Sequence, residues 1–239
     1  LLVVAALISL TMGPVEISVL NVTSILLSNV GLDLIPFTVS EELIVEELRL
    51  PRILVGAIVG MALGVAGTTM QAVFRNPMAE PGIIGVSAGG AVGAVLSITF
   101  GLNDLFFLAL PLFAFIGSMG SALLVYGIAL MGGYFSISTL LLAGVAVSAF
   151  LAAIVSLVIV LVPNNEGLRE ILFWLAGGLD SRSWEHVQIS FPIILSGCLV
   201  IVGMSRELNL LMLGNDDARS LGVRIALVRP VLIIISALI

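Results

Sequence analysis

Hydrophobic and polar positions follow one another along this chain in long blocks rather than as alternating single residues. A transmembrane helix needs about 20 consecutive apolar residues, whereas the strands of a transmembrane barrel alternate over about ten. Five of the apolar blocks are long enough to span a bilayer, and the pattern therefore predicts an all-α, polytopic transmembrane helical bundle. The seven apolar segments lie at about 1–12, 53–74, 83–102, 105–131, 139–162, 187–204 and 225–239.

The first and last apolar segments are shorter than the others. Each has roughly ten residues, which is too few to cross a membrane. We therefore expect the chain to be truncated at both ends, so that its 1–239 range is one incomplete transmembrane domain.

The connections between the segments differ in kind. Residues 13–52 are long and acidic, with only weak amphipathicity over 17–31, and residues 131–138 predict a tight turn. A short helix at about 167–178 is predicted after Asn164 or Asn165, either of which can cap it. It ends at the glycine pair 177–178. Trp174 and Trp184 flank this region, as expected at a membrane interface.

Composition supports the membrane assignment. Hydrophobic residues make up 60% of the chain and charged residues 10%, with a mean hydropathy of +1.27, whereas soluble domains average about 25% charged residues. The net charge is −6, and all basic residues are arginine, without a basic tract. Nucleic acid is therefore an unsuitable partner. The single Cys198 and the single His186 exclude an intrachain disulfide and make a metal site improbable, so we expect no metal and no cofactor.

The most informative stretch runs from Arg49 to Gly93 and reads RLPRILVGAIVGMALGVAGTTMQAVFRNPMAEPGIIGVSAGGAVG. It predicts two membrane helices joined by one short polar turn. Small residues let helices approach closely in lipid, so the glycine stripe of the first helix predicts helix packing. The stripe consists of Gly56, Gly60, Gly64 and Gly67.

The two ends of the first helix carry polar signals. Arg49 and Arg52 precede a span predicted to begin near Ile53; they are either headgroup anchors or guanidiniums offered to carboxylates of a partner. At the other end, strong turn signals predict a rigid hairpin in which Arg75 and Glu80 are able to pair. The turn residues that define this motif are Arg75, Asn76, Pro77, Pro81 and Gly82.

A second informative loop, residues 205–224, reads SRELNLLMLGNDDARSLGVR and predicts two short helices. The first should end at Gly214 in a left-handed conformation, and the second should start with Asn215 as its cap and stop at Gly222. Its many leucines suit either the membrane interface or a groove of a soluble partner, and the sequence alone leaves both open.

Catalytic signatures are weak. Gly85–Gly89 resembles a GxSxG nucleophile motif around Ser87, but it falls in a predicted membrane helix rather than a strand–turn–helix. The spans are expected to lack charged residues, which disfavours a proton- or ion-coupled carrier, because such carriers place ionisable groups in the membrane. Energy for transport would then come from another subunit.

The hairpin and the 205–224 loop, together with LLLAGVAVSAF and FWLAGGLDSRSW, resemble the FecCD-type permeases. These are the membrane subunits of ABC importers for iron–siderophores, haem and vitamin B12. The resemblance implies about ten spanning helices per full-length subunit, of which about seven would be present here. It implies a permease without a catalytic site of its own in a bacterial inner membrane. Its partners would be a cytoplasmic ATP-binding subunit, a substrate-binding protein and a second permease copy or paralogue.

The resemblance also assigns sides and roles. Arg49 and Arg52 would face outside and meet acidic residues of the binding protein, the short helix at 167–178 would be periplasmic, and the turn at 75–82 would be cytoplasmic. The loop 205–224 would be the cytoplasmic coupling loop on the ATPase. Its coupling residues would be Leu211, Leu213, Gly214, Asp216, Ala218, Arg219, Leu221 and Gly222. Residues 139–162 and 168–176 would line the translocation path. The alternative from another class is an ATPase-independent secondary carrier or channel.

Overall fold

The computed structural model describes residues 1–32, 34–102, 105–106, 108–131, 136–163 and 165–239, and these residues form helices and connections without a β-strand. The all-α prediction is confirmed. Most of the turn predicted at 131–138, and Asn164 as a cap, lie outside the described residues. The helices are α1 Leu2–Thr11, α2 Val19–Ser28, α3 Val39–Phe74, α4 Val86–Thr99, α5 Ala109–Leu130, α6 Ile137–Leu161, α7 Asn165–Ala176, α8 Trp184–Gly203, α9 Ser205–Leu213, α10 Asn215–Ser220 and α11 Ile225–Leu238.

Four of the described helices, α3, α5, α6 and α8, are long and apolar enough to cross a membrane. The predicted span at 83–102 is shorter than expected: a 3₁₀ turn, Pro81–Ile84, precedes the 14 residues of α4. The reason is local. Gly85 adopts φ 80° and ψ 5°, a left-handed conformation that glycine reaches without steric cost, and it separates the turn from the helix.

Helix α3 begins earlier than the predicted start near Ile53. Thr38 caps it, and Glu41 returns a hydrogen bond to the Thr38 backbone, which completes a capping box. Residues Ile44–Arg49 are π-helical and continue without a break into the apolar part of the helix. The second part of the acidic stretch 13–52, from Val39 onward, is therefore helical rather than a loop, because this local cap outweighs its polar composition.

The chain divides into two compact units, and the first comprises Leu1–Met61 and Leu179–Leu195. Its apolar core consists of Leu10, Ile17, Val22, Ile25 and Val45. The buried hydroxyl of Ser24 donates to the carbonyl of Ile35 at 2.8 Å and accepts from its amide at 3.1 Å. This pair of hydrogen bonds holds the connection after α2 against the helix.

The second unit comprises Ala62–Gly178 and Ser196–Ile239. Its closest helix contact is between α4 and α5. A Cβ added at Gly89 or Gly117 would collide with the backbone of the facing helix, and Gly93 meets the backbone at Phe113 in the same way. Ser118 donates from α5 to the carbonyl of Val86 at 3.0 Å. The two backbones therefore touch directly, as small residues permit in lipid.

The glycine stripe of α3 behaves differently from the prediction. No other part of the described chain lies within 4 Å of a Cβ built at Gly60, Gly64 or Gly67, and Gly56 meets only the side chain of Leu179. Within this chain the predicted packing role is therefore wrong for those three glycines. Small residues allow another helix to approach closely, but the sequence alone does not show whether a neighbouring helix packs against that face.

We expect Gly117→Ala to destabilise the protein by about 1–3 kcal/mol or more, because the new methyl group forces α4 and α5 apart. Gly120→Ala, on the same helix, is the matched control, since a Cβ there meets nothing within 4 Å. Thermal unfolding in detergent measures the difference. Equal midpoints for the two variants would contradict the backbone contact described above.

Candidate docking and coupling sites

Arg49 lies at the end of the π-helical segment of α3, and its guanidinium is turned toward α1. It donates to the carbonyl of Leu10 at 2.5 Å and also to the carbonyl of Val15. Leu10 belongs to the last turn of α1, where carbonyls lack intrahelical partners. Arg49 therefore fastens the end of α1 and the following segment to α3, a role that the sequence analysis missed.

Arg52 lies one helical turn further along α3 and makes an ion pair with Asp180. The distance from its Nη2 to Oδ1 of Asp180 is 2.9 Å, and the two side chains are 54% and 56% exposed. Exposed ion pairs of this kind contribute about 0–1 kcal/mol, so a better acceptor can replace Asp180. Asp180 was not among the predicted site residues; its place in the LDSR sequence gave no signal of this partner.

A tryptophan hydrogen bond and an apolar groove belong to the same compact unit as the two arginines. Trp184 donates from Nε1 to the carbonyl of Glu46 at 3.0 Å, within the π-helical segment. The same unit contains a groove of about 820 Å³, to which α1 and α3 contribute mostly apolar side chains. Arg49 and Arg52 line its polar side. Trp184 thus has one polar contact and an apolar ring, as expected for a tryptophan at a membrane interface.

The turn after α3 is built from its own polar groups. Asn76 accepts from the amide of Met78 at 2.9 Å, and Gln71 donates to the carbonyl of Pro77 at 3.0 Å. Arg75 adopts a left-handed φ of 53°, and Pro81 starts the 3₁₀ turn. The predicted hairpin turn is confirmed. The suggested Arg75–Glu80 ion pair is not formed between these two described residues.

The predicted coupling loop contains two helices, α9 and α10, as expected. The structure separates its apolar residues into two groups. Leu211 and Ala218 are buried within the second unit, so they support the loop rather than offer a surface. Leu213 and Leu221 are 60% and 51% exposed. Among the predicted coupling residues, a partner protein can therefore reach the second pair, and Met212 of α9 is exposed beside it.

The junction between α9 and α10 differs from the prediction. Gly214 has φ 129° and ψ 163°, which is not the left-handed helical conformation but a region open almost only to glycine. The Asn215 side chain makes no cap for α10; its Oδ1 instead accepts a hydrogen bond from Nη2 of Arg229 at 2.7 Å. The prediction of Asn215 as a cap is wrong because a partner 14 residues away competes for its side chain.

Arg229 corrects a further expectation. It lies inside the apolar helix α11 and is 5% exposed, so the apolar segments do carry a buried charge. The signal was visible as a lone arginine in LVRPVLIII, but its partner was not. An arginine stays protonated throughout the physiological pH range and therefore does not serve as a proton relay.

Comparison with known proteins identifies the class. The sequence model of the FecCD transport family matches residues 1–239, and the chain belongs to that family. It is a membrane protein of a permease family. The solved structure of a metal-chelate type ABC transporter in an inward-facing conformation superimposes with a TM-score of 0.84 at 31% identity, covering 99% of this chain and 70% of the other.

Three curated relatives illustrate the range of the family. The cobalamin import permease BtuC of Halobacterium salinarum is 38% identical over 83% of this chain and 53% of its own length. The hemin permease HmuU of Yersinia pestis is 36% identical over 80% of this chain and 58% of its own. The molybdate permease MolB of Haemophilus influenzae is 34% identical over 99% and 68%, respectively. The chain thus spans little more than half the length of the first two relatives.

We expect Arg49→Gln to raise amide hydrogen exchange at residues 10–18 by about tenfold or more. Hydrogen bonds from a charged donor contribute about 1.5–3 kcal/mol each, and the variant weakens the two that fasten this segment. Arg52→Gln is the control, because its ion pair does not touch the segment. Unchanged protection in Arg49→Gln would refute the fastening role.

Proposed function

We propose that this chain is the permease subunit of an ATP-driven importer. Membership of the FecCD transport family and the exposed apolar pair on the 205–224 loop support the proposal, and the exposed pair is the observation that carries the coupling step. The permease performs no covalent chemistry. Cargo arrives from a substrate-binding protein and passes along the interface of two permeases, while a separate subunit hydrolyses ATP. The protein is multi-pass in a bacterial inner membrane, and the whole chain belongs to one permease domain.

The cargo class is an iron–siderophore, haem or corrinoid. Relatives named for cobalamin, hemin and Fe(3+)-citrate import support this range. The molybdate permease, which matches nearly the full chain, makes an oxyanion the second candidate. Specificity then resides in the binding protein, and identifying what that protein binds distinguishes the two candidates.

The ATPase contact uses α9 and α10. Leu213 and Leu221 insert into a groove of the ATPase, as amphipathic helices do with soluble partners. The buried residues Leu211 and Ala218 hold the two helices on the second unit. The other predicted coupling residues shape the loop and set its charge. They are Gly214, Asp216, Arg219 and Gly222.

Binding-protein docking uses Arg52 more than Arg49. The guanidinium of Arg49 already donates to two backbone carbonyls, whereas among the described residues Arg52 is held only by an exposed ion pair. A carboxylate of the binding protein displaces Asp180 from Arg52 on docking. The short helix α7 lies on the periplasmic side and, with residues 139–162, borders the path.

The alternative is a secondary carrier or channel that works without an ATPase. For a proton-coupled carrier the described structure gives little support, because the buried ionisable residue of α11 is an arginine that retains its proton. Co-purification of an ATPase and a binding protein distinguishes the two functions.

Leu213→Asp together with Leu221→Asp should weaken ATPase association at least about tenfold, because both changes put a charge into an apolar contact. Pull-down from membranes that contain the full complex measures this. Asn209→Asp, which adds one charge to an exposed position of α9, is the control and should retain the ATPase. Normal association of the double variant would count against the coupling surface.

Arg52→Glu should lower binding-protein affinity about tenfold, with an effect that shrinks at high salt, because it places like charges opposite each other. The double variant, Arg49→Glu with Arg52→Glu, should lower the binding-protein affinity further. It should also weaken the attachment of α1, because Arg49 no longer donates to the carbonyls of Leu10 and Val15. Asp180→Asn is the matched comparison and should raise affinity slightly. Unchanged affinity of Arg52→Glu at every salt concentration would remove the docking assignment.

A further inference from the structure

Arg229 is a buried cation in an apolar helix. Removing a guanidinium from water is costly, and such a residue persists where hydrogen bonds compensate. Asn215 provides one of them, from the first residue of α10 to the interior of α11, at 2.7 Å. The bond therefore joins a helix of the coupling loop to a membrane helix.

Other positive charges lie around the hydrogen bond between Arg229 and Asn215, so the Asn215 acceptor matters for the stability of the buried guanidinium. Arg75, from the turn after α3, and Arg219, from α10, both interact electrostatically with Arg229, as does Tyr126 of α5. The guanidiniums of Arg75 and Arg219 repel that of Arg229. The Oδ1 atom of Asn215, which is the negative end of the side-chain amide dipole, instead attracts it. Removing that oxygen leaves the buried cation facing two like charges with one hydrogen bond fewer.

The backbone at the junction is restricted as well. Gly214 takes a conformation that other residues rarely adopt, and a Cβ there would lie 3.5 Å from Nη1 of Arg75. Arg75 thus lies close to Gly214, and Arg229 contacts Asn215, the next residue. A displacement of this junction would be passed to α11 through the hydrogen bond between Asn215 and Arg229.

We propose that Arg229 and Asn215 form a positioning pair that transmits movement of the coupling loop to α11. The inference rests on the proposed importer function and adds the residues that link ATP hydrolysis to the membrane helices. In this proposal the two residues act through the coupling loop and α11 rather than by contact with the cargo or the nucleotide. Their loss uncouples the two processes while the ATPase stays bound through Leu213 and Leu221.

The test uses the complete importer, with permease, ATPase and binding protein, reconstituted in proteoliposomes. Cargo uptake per ATP hydrolysed and ATPase association are measured for Asn215→Ala, Arg229→Met and the double variant. We expect association to persist and the ratio to fall at least about fivefold in each single variant, with no further loss in the double, because the two residues act as one unit. Asn215→Asp, which keeps an acceptor, should retain the ratio.

Ser236→Ala is the matched control, because it changes another buried polar residue of α11, and it should behave as the parent. A parental ratio in Asn215→Ala, or losses that add in the double variant, would overturn the pair. If Arg229→Met fails to insert, the contrast between Asn215→Ala and Asn215→Asp decides, and equal ratios refute the proposal. Absence of ATPase from the parent complex would instead refute the importer function itself.

Discussion

In an apolar environment a polar group is best placed where it finds a hydrogen-bond partner within the protein, and the main polar contacts of this structure follow from that constraint. It makes the backbone helical, because helices satisfy their own amides and carbonyls. It turns the Thr69 hydroxyl back to the carbonyl of Val65 at 2.7 Å. It also explains why Arg49 reaches the end of α1 and why Arg229 reaches Asn215. Each of these contacts joins a polar atom to an acceptor within the protein.

The same constraint distinguishes arginines that support the fold from an arginine that is available to another molecule. Arg49 and Arg229 each donate to acceptors inside the protein, so each is part of the framework. Arg52 faces solvent with a partner that it can exchange at little cost. Two arginines three residues apart, equivalent in the sequence, therefore differ in what they offer to another molecule. Burial and partners, rather than residue type, distinguish a framework residue from a docking residue.

Periodicity and composition predicted the membrane class and the approximate place of every main helix, because twenty apolar residues in a row leave few alternatives. The α9–α10 loop and the turn at Asn76 were also predictable, since glycine, proline and asparagine act locally. The start of α3 was missed although Thr38 and Glu41 carried a local signal. The Asn215 cap, the Arg52–Asp180 pair and the open α3 glycines could not be predicted, because each depends on which distant segment comes close.

The contact between α4 and α5 has a mechanical consequence. The carbonyl oxygens of Gly89 and Phe113 lie so near the facing backbone that a side chain at position 93 or 117 would collide with them. The distance between the two helices is therefore set by backbone contact rather than by side-chain packing, and α4 and α5 are already as close as two helices can come.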